Sequence, residues 1–229
     1  MGEKKQREAT TKKWKQVLIV GACVLFVVLM IVSGMGSGWL SSFVSVKPGD
    51  VVVIDYTLKD AKGNPLVTSD QTLYKQLIAS GYTLPFSKQL TITANQPITR
   101  QIFPVQIYTQ QTGWANQYGI FNSEYNAINS GIVGMKANEK KTISVTSGIP
   151  LTQYWSAEKL MESKLNLSTV QVGTLIPLGV SENQDAITEN STANYYIRLG
   201  EITEKTDEGV TIDFAHPNID VSVVSINNR

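Results

Sequence analysis

The hydrophobic pattern changes period along the chain. From Val17 to Val32, sixteen consecutive residues carry no charged or strongly hydrogen-bonding side chain, and Ser33 to Leu40 continues the stretch without charge. At about 1.5 Å per residue the first run covers about 24 Å, and with its extension a tilted helix would cover the roughly 30 Å of a bilayer's hydrocarbon core. Beyond it, alternation takes over. In VVVIDYTLKD, Val51, Val53 and Asp55 share one face while Val52, Ile54 and Tyr56 share the other, a strand period that sets Tyr56 on an apolar face. Lys47-Pro48-Gly49-Asp50 is a turn before this strand and Lys62-Gly63-Asn64-Pro65 a tight turn after it, so Leu66 to Thr68 begins a return strand. Asn129 to Val145 reads as a short helical apolar cluster, a loop and a strand at Thr142 to Val145. YYIRLGEITEKTDEGVTIDFA reads as two strands around Asp207-Glu208-Gly209, and Ile219 to Ile226 as a last strand. Helical signals are brief, as at Ser156 to Lys164. The class predicted is α+β dominated by antiparallel sheet, with residues 70–123 read as extra strands or a lid that carries Trp114, Tyr118 and Phe121.

Charge sharpens the N-terminal reading. Residues 1–16 hold six of the twenty Lys and Arg and two of the nineteen acids, leaving 14 basic and 17 acidic side chains in a mildly acidic remainder. A basic tail before an apolar run bracketed by Trp14 and Trp39 predicts a transmembrane helix over 17–40, a cytoplasmic tail and an extracytoplasmic body at the cell membrane. A cleaved signal peptide and a buried soluble helix are the alternatives. The sequons at Asn166 and Asn190 agree with an exterior body.

Composition then removes chemistry. A net charge of +1 offers no basic field for nucleic acid. The single cysteine, Cys23, lies in the apolar run, which excludes an intrachain disulfide, a Cys-rich zinc site and a thiol nucleophile elsewhere. The single histidine, His216, has no companions for a metal cage or a Ser-His-Asp triad and reads as a turn residue beside Pro217. No metal or other cofactor is expected. Asp55 and Asp213 read as exposed strand polars, and Lys136, Glu139, Lys140 and Lys141 as a solvated loop.

The succession PGDVVVIDYTLKDAKGNPLVTSD, GIVGMKANEKKTISV and IDVSVVSI resembles the FKBP-type peptidyl-prolyl isomerases, GIVGMKANEKK being its most specific piece. The segment from Ile149 to Pro217, with VQVGTLIPLGV and GEITEKTDEGVTIDFAHPN, is similar to the insert-in-flap domain of SlyD-type members. The resemblance implies an FKBP-like antiparallel sheet wrapped on a short helix, formed by 47–150 and 217–229 after a linker at 41–46, with a chaperone-like insert at 151–216. It implies a prolyl site of Tyr56, Val67, Ile128 and Ile219, with Tyr125, Leu151 and Tyr154 touching substrate. Such a site would be a dry apolar cavity, because rotation about the prolyl bond must break amide resonance against a barrier of about 18–20 kcal/mol and the twisted amide is less dipolar than the planar one. Thr68 stands where the family has a pocket aspartate, and Leu151 near its flap tyrosine. The activity implied is a membrane-anchored isomerase and folding chaperone acting on Xaa-Pro bonds, with unfolded or proline-containing polypeptides as partners. A non-catalytic polypeptide-binding module at the cell surface is the alternative reading, and a structural surface protein a third.

Overall fold

Strand β1 (Val51–Lys59) organises the sheet, because its alternation points Val52, Ile54, Tyr56 and Leu58 into one core. In the computed structural model, which describes residues 18–31, 33, 44–109, 113–146, 151–182 and 195–227, β1 pairs antiparallel with three strands. These are β2 (Pro65–Thr68), β4 (Leu90–Thr93) and, along most of its length, the terminal strand β12 (Asn218–Ile226). Gly63 makes the β1–β2 turn at φ 86°, a conformation that costs an L side chain and costs glycine nothing. Strand β7 (Lys140–Ser144) continues the sheet beyond β12.

On the other side the sheet grows through two narrow joints. Strand β3 (Phe86–Ser87) meets β2 at the parallel pair Thr68 and Phe86, and leads to the hairpin of β5 (Ile102–Thr109) and β6 (Gly113–Phe121). Strand β10 (Tyr195–Lys205) then meets β6 at the parallel pair Ile197 and Tyr118. Strands β9 (Leu175–Ser181) and β11 (Gly209–Asp213) flank β10, and β8 (Thr152–Ser156) pairs with β11. The main path runs β7-β12-β1-β2-β3-β5-β6-β10-β11-β8. Helix α2 (Gln71–Ala79) is capped by the Asp70 carboxylate, which accepts the Thr72 and Leu73 N–H groups. Helix α3 (Asn122–Gly131) buries Tyr125 and Ile128, and α4 (Ala157–Glu162) starts from a Ser156 cap and buries Leu160. Residues 18–31 form helix α1 in a separate unit.

Two hydrophobic cores result. One gathers β1, β12, α3 and the β5–β6 hairpin; the other gathers Leu160, Val170, Ile176, Leu178, Ile202, Val210 and Ile212.

The elements expected in VVVIDYTLKD, at Leu66 to Thr68, at Ser156 to Lys164 and at Ile219 to Ile226 form, over Val51–Lys59, Pro65–Thr68, Ala157–Glu162 and Asn218–Ile226, yet the expected fold class does not hold. The described residues are mostly β: they form a mixed sheet of twelve strands with short helices, rather than an FKBP-like antiparallel sheet wrapped on one helix beside a separate β-rich insert. The physical reason lies in the alternation of Phe103, Val105 and Ile107 against Tyr118 and Ile120. This makes 102–121 a hairpin whose apolar face joins the first core, so the inserted segments prolong the sheet.

The expected transmembrane helix and the membrane localisation are also corrected. No helix among the described residues is long and apolar enough to cross a membrane. The basic tail at 1–16 and the linker up to residue 43 lie outside the described residues, as does the sequon at Asn190.

Candidate functional site

The four residues expected to wall a prolyl pocket do meet. Tyr56 of β1, Val67 of β2, Ile128 of α3 and Ile219 of β12 belong to one cluster, and each is at most 1% exposed. The same cluster holds Val105 and Ile107 of β5 and Tyr118 and Ile120 of β6, so side chains of the inserted hairpin pack into this core. The Tyr56 hydroxyl hydrogen-bonds with the Ser87 hydroxyl, and burial pushes its pKa above the ordinary tyrosine range. Thr68, which stands at the aspartate position, is buried and shares a 2.7 Å hydrogen bond with the Thr57 hydroxyl.

The three expected substrate contacts are not brought together. Tyr125 is in the first core, its ring 4.6 Å from that of Phe103. Leu151 is half-buried, and its carbonyl accepts the Phe214 N–H at 2.9 Å. Tyr154 is 52% exposed on β8.

Behind the first core lies a buried polar group that sequence reasoning did not single out. Glu124 of α3 and Arg198 of β10 form a two-pronged ion pair, with Arg198 Nη1 donating to Oε2 at 2.9 Å and Nη2 donating to Oε1. Arg198 also donates to the Phe214 carbonyl at 2.7 Å and the Gly119 carbonyl at 3.0 Å, and its guanidinium lies 3.9 Å from the centre of the Phe121 ring. Glu124 further accepts the Phe121 N–H at 2.9 Å, which caps α3. Burial alone would raise the Glu124 pKa, but the guanidinium and these hydrogen bonds hold it below the ordinary value. His216 stands beside the pair. Its Nε2 faces the Leu199 carbonyl at 3.2 Å, while its Nδ1 has no hydrogen-bond partner and lies 3.5 Å from Glu124 Oε1. Burial and the neighbouring guanidinium lower its pKa to about 3, so the ring is neutral at pH 7. A buried neutral imidazole and an ion pair already satisfied by the backbone do not form an acid–base site open to substrate.

Two of the surface clefts lie among the described residues. The larger, about 570 Å³, runs between α2 and the outer side of β1, β7 and β12. Its charges pair with one another or with neighbouring polar groups: Lys140 lies 3.6 Å from Asp70, Asp220 accepts from Thr142 and pairs with Lys59, and Asp55 accepts from Ser69 and Gln89 at 3.1 Å. Half-burial raises the Asp55 pKa. The smaller, about 250 Å³, is lined by Asp60, Lys62, Leu66 and Glu201, with Lys62 paired to Glu201. Among the described residues no cluster of three or more His, Cys, Asp or Glu could hold a metal ion.

The ends of the sheet differ in kind. Among the described residues, strand β7 pairs only with β12, and its exposed positions include Lys140 and Lys141, charges that discourage a further strand. Strand β8, Thr-Gln-Tyr-Trp-Ser, pairs among the described residues only with β11 and carries no charge. Four of its five residues are exposed.

Arg198 was legible in principle, since it sits on the inward face of the Tyr196, Arg198, Gly200 alternation, where an arginine must find a partner. Nothing in the sequence points from it to Glu124, 74 residues away. Compared with protein-family models and with curated proteins, the chain matches none.

Proposed function

We propose that this protein binds extended polypeptide, such as segments of an unfolded chain, by adding it as a strand beside β8. The observation that carries this reading is the uncharged edge at Thr152–Ser156, open among the described residues, set against the lysine-bearing edge at β7. An edge strand presents a row of backbone donors and acceptors, and strand addition draws its affinity from them and its selectivity from alternate side chains. Tyr154 supplies an exposed ring on one face of that edge, and Trp155 packs the other face onto the second core. Isomerase catalysis, the other implication of the resemblance, requires the core around Tyr56 and Ile128 to open to a prolyl ring, and the packed hairpin weighs against it.

Titration of the chain with an eight-residue peptide of alternating apolar and polar residues tests the proposal. Binding should slow amide exchange in β8. It should be lost when alternate peptide nitrogens are methylated, and should fall in Tyr154→Lys, which places a charge on the edge. Equal binding of the methylated peptide overturns strand addition. An Xaa-Pro exchange assay separates the second reading: no acceleration over the spontaneous rate is expected, and a clear acceleration that Ile128→Ala abolishes would restore the isomerase.

A further inference from the structure

The larger cleft is built from two polar walls. One is the outward side of the sheet, where register sets Asp55 of β1 opposite Ser222 of β12, and Ser222 opposite Lys140 of β7, in one row. The other is α2, whose Thr72 and Gln76 stand about one helical turn apart on the face that lines the cleft, with half-buried Leu73 beside them. The charges around the cleft do not balance. Asp220 is paired with Lys59, and Asp70 lies 3.6 Å from Lys140. Lys141, at the alternate position of β7, turns its ammonium away to the Gly131 carbonyl at 3.1 Å. Three carboxylates therefore share two ammonium groups, and the one left without an ion pair among the described residues is Asp55. Asp55 Oδ1 accepts from Ser69 and Gln89, both neutral, at 3.1 Å. Its Oδ2 accepts nothing among the described residues, and the side chains of Ser222, Thr72 and Gln76 make no hydrogen bond there either.

We propose that this cleft binds an alkylguanidinium group, carried either by an arginine side chain of a polypeptide or by a free guanidino compound. Every uncommitted group on the two walls can accept a hydrogen bond: a carboxylate oxygen, two hydroxyls and an amide carbonyl. A guanidinium presents five N–H donors in one plane and no acceptor, so it serves both walls at once, whereas an ammonium offers three donors about a single point. The Asp55 carboxylate makes its share of those bonds charge-assisted. Half-burial has already removed part of its water, which raises its pKa, and a cation at Oδ2 replaces that lost stabilisation. Leu73 offers an apolar surface to the alkyl stem, and about 570 Å³ leaves room for the groups that flank it. A metal ion fits less well, because the described residues hold no cluster of three or more His, Cys, Asp or Glu. The site lies on β1, β12 and α2; it goes beyond strand addition at β8 and does not rest on it.

The test is titration of the full chain with acetyl-Gly-Arg-Gly-amide, read by the amide chemical shifts of Asp55, Thr72 and Ser222. Saturable shifts are expected. The citrulline peptide, which keeps the shape and loses the charge, and the Asp55→Asn chain should each weaken binding about tenfold or more, as loss of one charge-assisted contact does. Gln76→Lys, on the exposed surface of α2, sets a cation in the facing wall without touching Asp55 and should weaken binding similarly, so the assignment stays testable if Asp55→Asn disturbs β1. Tyr154→Lys should bind the peptide normally, which separates this cleft from the β8 edge. Propylguanidinium distinguishes the two sources: a peptide about tenfold tighter than propylguanidinium assigns the cleft to polypeptide, and equal affinities assign it to a free guanidino compound. Equal binding of the citrulline peptide or of the lysine peptide, a folded Asp55→Asn chain that binds as tightly as the parent, or no binding at all would each overturn the proposal.

Discussion

Glu124 and Arg198 are the most consequential residues in the body of the molecule, because each is a full charge removed from water and made tolerable by the other. Removing one partner leaves an uncompensated buried charge, a loss of about 3–5 kcal/mol, whereas replacing both by apolar groups of similar size is often neutral. Arg198→Met is therefore expected to lower the urea midpoint sharply, and adding Glu124→Leu to recover most of the loss. His216 adds a pH dependence of definite sign. Its ring titrates near pH 3 in the folded chain and near the ordinary 6.5 when unfolded, so the unfolded state takes up the proton first as pH falls. The stability it contributes is complete above about pH 6.5 and declines toward pH 3 by up to about 1.4 kcal/mol per pH unit. Glu124, whose folded pKa is depressed, adds a further loss as pH falls below the ordinary carboxylate range. Urea midpoints from pH 7 to 4 should fall, and the fall above the carboxylate range should flatten in His216→Asn.

At the level of elements, the edge strand depends on a single glycine. A Cβ at Gly209 would lie 2.2 Å from the Trp155 carbonyl oxygen and 2.7 Å from the Tyr154 hydroxyl, at the end of the β8–β11 pairing where Gly209 faces Ser156. The clash is with backbone, so no side-chain rotation relieves it. Gly209→Ala should loosen β8 while the first core persists, seen as faster amide exchange at 152–156 with little change at 51–59. Binding of the alternating peptide should weaken in parallel. The β1–β2 turn shows the opposite case, where local sequence alone predicts the element: Asn64 and Gly63 close it, and the Asp60 carboxylate accepts from the Asn64 backbone and side chain.

On the scale of the whole body, the two cores are tied by narrow joints. Beside the one-residue pairing of Ile197 with Tyr118, the Arg198 network reaches Glu124, Gly119 and Phe214, and the Lys62–Glu201 pair and the contacts of Glu182 with Arg100 and the Ile102 N–H also cross. Replacing residues 152–213 with a short loop would withdraw Arg198 and strand Glu124 in the first core. That truncation is expected to fold poorly, and Glu124→Leu to restore a cooperative thermal transition. A truncated chain as stable as the intact body without that second change would show that the first core does not need the ion pair.

Local pattern determined much of this protein. Alternation at 51–58 and 219–226 set the central strands and their inward faces, turn chemistry placed the first hairpin, and the serine at 156 marked a helix start. These signals are local, acting over a few residues of backbone geometry and side-chain direction. Tertiary structure alone decided that Tyr56, Val67, Ile128 and Ile219 would be a sealed core, because the side chains that pack among them come from a hairpin about fifty residues further along the chain from Tyr56. It also decided that Asp55, Ser222 and Lys140 would stand in one row and that Arg198 would find Glu124. Such contacts depend on strand register and burial across long loops, which hydrophobic periodicity does not encode.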